Sequence, residues 1–117
     1  MHTQRLLAVI MILLAGAGAA YSQAVNATLL GTVTDPSDSV IPNARVTITE
    51  VNTNSTRTTQ TNDSGYYSFV NLPPGTYMVV VEAAGFKKDV RRDINVLVDT
   101  NTRVDVRLQT GVLTETV

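Results

Sequence analysis

The chain has 117 residues, a net charge of −1 at neutral pH, no cysteine, no tryptophan and one histidine, His2. This length holds one domain at most, and the balanced charge argues against nucleic-acid binding, which usually needs a clustered basic surface. Without cysteine there is no disulfide framework, so the hydrophobic core must stabilise the fold alone.

Residues 1–22 have the pattern of a secretory signal peptide. A short basic start is followed by the apolar run Leu6–Ala15 and by the small-residue cleavage motif Ala20-Tyr21-Ser22. The alternative is a membrane anchor, but the apolar run is shorter than the ~20 residues that a spanning helix needs. A lipoprotein anchor would require a cysteine. We therefore predict cleavage before Gln23 and export to the periplasm or outer membrane.

Three strands are predicted in the first half of the remaining chain. Apolar and polar residues alternate with period two from Ala27 to Asp35 and from Ala44 to Glu50, which indicates strands with one buried face. The threonine-rich segment Thr56–Thr61 has high β propensity but little to bury. We expect it at a sheet edge, where Arg57 is the only charge that opposes unwanted pairing.

The stretch Thr61–Phe86 gives the strongest pattern. Asp63-Ser64-Gly65 is a turn signal that opens an aromatic strand, Tyr66–Val70. Pro73 and Pro74 interrupt pairing because proline has no N–H, and a second strand follows from Thr76 to Val81. This pattern predicts an antiparallel pair joined by a proline-stiffened loop.

Two more strands are predicted after a bend at Ala83–Phe86. A charged segment from Lys87 to Asp93 is interpreted as a polar strand that runs into Ile94–Val98, because within it Val90 has no apolar partner at helical spacing. Asp99–Thr102 is predicted to turn. From Arg103 to Gln109, apolar and polar residues again alternate with period two, which predicts a last strand with one buried face.

About seven short strands without a convincing helix predict an all-β fold, an antiparallel β-sandwich. The predicted inward-facing residues are Leu29, Val33, Val46, Ile48, Tyr67, Phe69, Leu72, Tyr77, Val79, Val81, Val104, Val106 and Leu108.

Several motifs together resemble the carboxypeptidase regulatory-like domain, a small transthyretin-like sandwich. They are the turn Asp63-Ser64-Gly65, the aromatic strand, Leu72-Pro73-Pro74-Gly75-Thr76-Tyr77 and the closing Gly85-Phe86. Gly31–Asp35 and the proline-led Ile41–Ile48 are similar to the first two strands of that family. The resemblance covers roughly Thr28–Leu108 and implies the fold much more than a function.

The C-terminal segment Leu108–Val117 resembles the linker that joins an N-terminal domain of this family to the plug and barrel of TonB-dependent outer-membrane receptors. This resemblance implies a protein partner, either a receptor plug and barrel or a periplasmic protein. The predicted organisation is a signal peptide at 1–22, a sandwich at 23–109 and a linker or tail at 110–117.

Catalysis and metal binding have weak support. His2 leaves with the signal peptide, which removes Ser-His and Cys-His pairs. The acids Asp35, Asp38, Asp63, Asp99 and Glu50 fall where turns and strand ends place acids in any case. Asp63, with Asn62 and Ser64, is the best calcium candidate, but one acid rarely satisfies the ligands that calcium takes, and an Asx-type turn is the alternative explanation. We predict no enzyme activity, no cofactor and no metal site.

A glycan site would need exposed aromatic rings, and Tyr66 and Phe86 are the candidates. Tyr66 has the opposite parity to Tyr67 and Phe69, and Phe86 sits at a bend. The wider fold is described as carbohydrate-binding-like, although an outward tyrosine is also ordinary in a strand. The first hypothesis is therefore an exported, non-catalytic interaction module, and the alternative is a small carbohydrate-binding module.

Overall fold

A computed structural model describes residues 26–111. The predicted signal peptide, including His2, and residues 112–117 of the predicted tail lie outside the described residues. Within residues 26–111 there is no helix long and apolar enough to cross a membrane. The strands are β1 Ala27–Thr34, β2 Arg45–Glu50, β3 Thr56–Gln60, β4 Tyr66–Leu72, β5 Gly75–Glu82, β6 Asp89–Val96, β7 Asn101–Arg103 and β8 Val106–Arg107.

These strands form two sheets that face each other, which confirms the all-β sandwich. One sheet has the order β4-β1-β7, with β8 also paired to β1, and the other has the order β3-β2-β5-β6. β3 lies at an edge, as its threonine-rich sequence predicted. All pairings are antiparallel except those of β7 and β8, which run parallel to β1.

The core lies between the two sheets and is formed by alternate residues of each strand. β1, for example, alternates strictly between buried and half-buried residues. All of the predicted inward-facing residues are buried, and Ala27, Ile41, Ala44 and Val96 join them. Each large apolar side chain buried in this way contributes ~1.5–3 kcal/mol, most of which chain entropy offsets.

The prediction that β4 and β5 pair with each other is wrong. β4 pairs with β1, whereas β5 pairs with β2 and β6 in the opposite sheet. Pro73 and Pro74 carry the chain from one sheet to the other. Both strands turn alternate apolar residues towards the same interior, so the alternation is identical for a hairpin and for a crossing between sheets. Only the long-range partners distinguish the two arrangements.

The predicted turn at Asp99–Thr102 is partly wrong. Asp99 does turn the chain, with φ 55°, but Asn101 already pairs with Thr28 at the start of β7. The ladder breaks between β7 and β8, where Asp105 Oδ1 accepts hydrogen bonds from the N–H of Thr32 at 2.9 Å and from its hydroxyl at 3.1 Å. The predicted parity holds across the break, because Val104, Val106 and Leu108 are buried.

The strand register places the loops at two ends of the sandwich. The β2–β3 loop and the proline-containing β4–β5 connection lie at one end, because Glu50 pairs with Tyr77 there. At the opposite end, Phe86 forms a bridge with Thr110, and Gly111 N–H donates to Gly85 O at 2.9 Å. The first two residues of the predicted tail are therefore fixed against the β5–β6 connection.

Candidate functional site

A groove of about 440 Å³ opens at the end of the sandwich where the β2–β3 loop meets the β4–β5 connection. We call it the end groove. Its apolar wall comes from both sheets and its polar rim comes from the β2–β3 loop and β3. The lining residues are Ile48, Glu50, Asn52, Thr53, Ser55, Arg57, Leu72, Pro73, Pro74 and Tyr77.

Glu50, the last residue of β2, is a buried carboxylate in this groove, with 7% of its surface exposed. Its Oε2 accepts a hydrogen bond from the backbone N–H of Thr53 at 2.7 Å, and its Oε1 accepts one from the side-chain Nδ2 of Asn52 at 3.4 Å. Burial raises the pKa of Glu50, but the hydrogen bonds from Thr53 and Asn52 outweigh burial and lower the pKa overall. Glu50 is therefore charged at neutral pH and organises the β2–β3 loop.

Tyr77 lies directly opposite Glu50 in the β2–β5 ladder and fixes the proline-containing wall. Its hydroxyl donates a hydrogen bond of 2.6 Å to Pro73 O. Burial raises the pKa of Tyr77, and the neighbouring charge of Glu50 raises it further. Gly75 allows this arrangement, because a Cβ there would lie 2.7 Å from Glu50 Oε1.

Arg57, on the polar rim of the end groove, links the two sheets. Its Nη1 donates a hydrogen bond of 2.8 Å to Val70 O on β4, and its guanidinium lies 5.7 Å from the centre of the Phe69 ring. The contact is favourable both as a charge-assisted hydrogen bond and as a cation–π interaction. The arginine therefore closes the gap between edge strands β3 and β4.

Glu50 and Tyr77, the hydrogen-bonded ionisable side chains of the end groove, are engaged in structural contacts. A general acid must hold a proton near neutral pH, whereas the lowered pKa of Glu50 keeps this group ionised. The hydroxyl of Tyr77 is held by Pro73 O. In the part of the chain that the structure describes, no group of three or more His, Cys, Asp or Glu side chains is arranged to hold a metal ion.

The structure places the predicted aromatic candidates on different elements, Tyr66 in strand β4 and Phe86 in the connection between β5 and β6. Tyr66 is 36% exposed on the outer face of β4, opposite Thr32 of β1. Phe86 lies in the β5–β6 connection, where it is half-buried and packs against the core. Tyr66 thus offers an accessible ring, whereas part of the Phe86 ring is taken up by packing.

The predicted calcium candidate forms a turn. Asn62 Oδ1 accepts hydrogen bonds from Ser64 N–H at 2.9 Å and Tyr66 N–H at 3.0 Å, and Gly65 adopts φ 71°. This is the Asx-type turn that sequence reasoning offered as the alternative, with Asn62 as the acceptor. Similarly, Asp35 Oδ1 accepts from the N–H groups of Ser37 and Ser39.

Sequence reasoning missed the end groove because it treated Glu50 as an ordinary strand-end acid. A signal was present: Glu50 continues the inward parity of Val46 and Ile48. A carboxylate in phase with a buried face needs hydrogen-bond partners, because an unpaired buried charge is costly. The partners come from the following loop, Asn52 and Thr53, but the proline wall could not be foreseen from local sequence.

The chain matches the family model of the carboxypeptidase regulatory-like domain over residues 28–109. A comparison with curated protein sequences gave no match. Among solved structures it is similar to the TIE protein of Bacillus anthracis, with a TM-score of 0.63, 22% identity, and coverage of 75% of this chain and 17% of that chain.

Two dioxygenases have similar folds. For catechol 1,2-dioxygenase from Acinetobacter sp. ADP1 the TM-score is 0.61 at 14% identity, with coverage of 79% of this chain and 55% of that chain. For hydroxyquinol 1,2-dioxygenase from Pseudomonas putida DLL-E4 the TM-score is 0.60 at 8% identity, with coverage of 78% of this chain and 58% of that chain. This chain spans less than two thirds of each of the three proteins, and at these identities the likeness shows the fold alone.

Proposed function

Because the chain belongs to the carboxypeptidase regulatory-like domain family, we propose that it is a non-catalytic, exported β-sandwich module that acts by contact with another protein. The observation that carries this proposal is the end groove, which combines an apolar wall with a rim of polar side chains. Leu72, Pro73 and Pro74 offer apolar surface, while Thr53, Ser55 and Arg57 stand at the rim. Pockets of this composition bind an apolar side chain and orient it through a few polar contacts.

The surroundings of the groove favour a protein partner over a small polar metabolite. Val51, Val70, Leu97 and Val98 are large apolar residues near this end of the sandwich, and each is about half exposed or more. Exposed large apolar residues near a pocket favour contact with another protein. We infer that the partner inserts an apolar side chain into the groove and covers these residues with neighbouring surface.

The polar groups of the described residues support a non-catalytic role. Glu50 is ionised and hydrogen-bonded, and the hydroxyls of Tyr67 and Tyr77 both donate to backbone carbonyls. The matched family is a regulatory-like domain by description. The dioxygenase likeness adds no activity, because fold similarity at such identities does not transfer function.

The signal-peptide pattern of residues 1–22 supports export, and the resemblance of Leu108–Val117 to a receptor linker supports a place at the outer membrane or in the periplasm. In this proposal the module is the N-terminal domain of a TonB-dependent receptor or a free-standing equivalent. The partner would then be a receptor plug and barrel or a periplasmic protein.

Site-specific photo-crosslinking in cells tests the proposal. A photoreactive phenylalanine analogue is placed at Thr53, on the groove rim, and in a control chain at Ser64, which is exposed at the opposite end. We expect a discrete protein adduct in the periplasmic or outer-membrane fraction from position 53 only. Equal adducts from both positions, or none from position 53, would contradict groove-mediated contact.

Mass spectrometry of the same fraction should find Gln23 as the first residue, and retained Met1 would contradict export with cleavage.

The exposure of Tyr66 keeps carbohydrate binding as a second candidate. A glycan array with the wild-type chain and Tyr66→Ala separates the two functions. A sugar that binds wild type and is lost in the variant would favour the glycan module. Absence of binding, or equal binding by the variant, would rule it out.

A further inference from the structure

Among residues 26–111, the edge of β3 is less protected against pairing than the other sheet edges. Antiparallel ladders alternate, so every second residue of an edge strand directs its N–H and C=O away from the sheet. Thr61 N–H donates to Ala44 O, and Ser55 O accepts from Glu50 N–H. The backbone N–H and C=O groups of the odd-numbered residues in this segment therefore point towards β2. The backbone groups of Thr56, Thr58 and Gln60 therefore point outwards.

The β4 edge, on the same side of the sandwich, is blocked at both ends. Tyr66 N–H donates to Asn62 Oδ1, and Tyr66 O accepts from Asn62 N–H. Val70 O is occupied by Arg57. Only Ser68, between these two residues, directs its backbone groups outwards without such a contact among the described residues.

The edges on the other side are protected by charge and irregularity, which are common devices against edge-to-edge pairing. β6 carries Asp89, Arg91, Arg92 and Asp93, and its register shifts opposite Tyr77–Val79. β7 and β8 have three and two residues, and the side chain of Asp105 interrupts them. By contrast, β3 is regular and carries one charge, Arg57, whose side chain turns inwards over Phe69.

We propose that β3 pairs with β3 of a second copy of this chain, antiparallel about a two-fold axis at Thr58. In this register Thr58 faces Thr58 of the second copy, Thr56 faces Gln60, and Arg57 faces Thr59. No charge meets a like charge, and the outward rows of backbone groups supply about six hydrogen bonds. Cross-strand threonine pairs are favourable, and the chain already uses them: Thr47 and Thr49 of β2 lie opposite Thr58 and Thr56, with 3.4 Å between hydroxyls.

This occupant is favoured over an unrelated strand because the arrangement is self-complementary. A two-fold interface must present the same surface to itself, so a central charge would repel its own copy. β3 meets this condition with a neutral threonine at the centre. Pairing would join the two four-stranded sheets into one continuous sheet. Since two five-residue edges bury less than the ~1,200 Å² of a standard interface, the association is expected to be weak and dependent on concentration.

Sedimentation velocity of the purified chain over a wide concentration range tests the proposal, with Thr58→Lys and Gln60→Lys as matched variants. Both add one lysine to the same outer face of β3. Only Thr58→Lys places two lysines directly opposite each other, so we expect it to weaken dimerisation about fivefold or more. In Gln60→Lys the new lysine faces the neutral Thr56 of the second copy, so this variant should change the dimerisation affinity by less than about twofold. Circular dichroism spectra and urea midpoints of the variants verify that they are folded.

A mixing experiment tests the register directly. Thr58→Glu alone should be as monomeric as Thr58→Lys, and an equimolar mixture of the two should regain dimers because glutamate then faces lysine. A wild-type chain that stays monomeric at the highest concentrations would overturn the proposal. Equal effects of the two lysine variants, or a mixture that fails to associate, would also overturn it.

Discussion

The hydroxyl of Tyr67 on β4 donates a hydrogen bond of 2.5 Å to the carbonyl of Val104, across the intervening strand β1. Gly31 of β1 makes this contact sterically feasible, because a Cβ there would lie 1.9 Å from Val104 O and 3.0 Å from the Tyr67 hydroxyl. The buried contact joins the sheet across three strands. Burial raises the pKa of Tyr67 well above its ordinary value, so the hydroxyl remains a donor throughout the physiological range.

Tyr67→Phe is expected to lower the free energy of unfolding by about 1–3 kcal/mol, because it leaves the buried Val104 carbonyl without its donor. The measurement is urea denaturation at neutral pH. Tyr66→Phe is the matched control on the adjacent, exposed position and should change stability by less than about 0.5 kcal/mol. Equal effects of the two variants would contradict the role assigned to the Tyr67 hydroxyl.

Gly31→Ala is expected to lower the free energy of unfolding by about 3 kcal/mol or more, because the new methyl group overlaps Val104 O and forces β1 and the β7–β8 segment apart. Gly85→Ala provides the comparison. Gly85 has φ 85° but no atom within 4 Å of an added Cβ, so only backbone strain of about 1–2 kcal/mol applies. Thermal and urea unfolding should rank the two variants in this order. A reversed order would show that close packing at Gly31 is unimportant.

Glu50→Gln is expected to reduce the loss of stability at acid pH. The pKa of Glu50 is lowered in the folded state from its ordinary value of 4.5, so the unfolded chain binds the proton more readily. The stabilisation from the charged form is therefore complete above pH 4.5 and is lost as the pH falls through the folded-state value.

Urea midpoints measured from neutral pH to about pH 3 check this. The difference between wild type and Glu50→Gln should shrink as the pH falls. A difference for Glu50→Gln that is constant with pH would show that the loop hydrogen bonds do not depend on the carboxylate charge.

Arg57→Lys is expected to destabilise the chain by about 1 kcal/mol, because lysine loses the planar contact with Phe69 and the directed hydrogen bond to Val70 O. Hydrogen exchange should also be faster along β4. Arg45→Lys, at an exposed position of β2, keeps the same charge and should be neutral. If both variants behave alike, the link between β3 and β4 contributes nothing to stability.

The sequence by itself determined the fold class, most strand positions and the parity of the core. Alternation with period two is a local property, and one dry interior forces every strand to obey it, so each residue predicted to face inwards is buried. The placement of β3 at an edge followed from its low apolar content for the same reason.

Only the tertiary structure decided which strands pair and where a site forms. Alternation does not encode a partner, so Pro73 and Pro74 could equally close a hairpin or cross between sheets, and the parallel pairing of β7 and β8 with β1 left no local signature. The end groove depends on residues distant in sequence, such as Glu50, Leu72 and Tyr77, that the register brings together. The open row of backbone groups on β3 likewise exists only once β2 has taken the alternate residues of that strand.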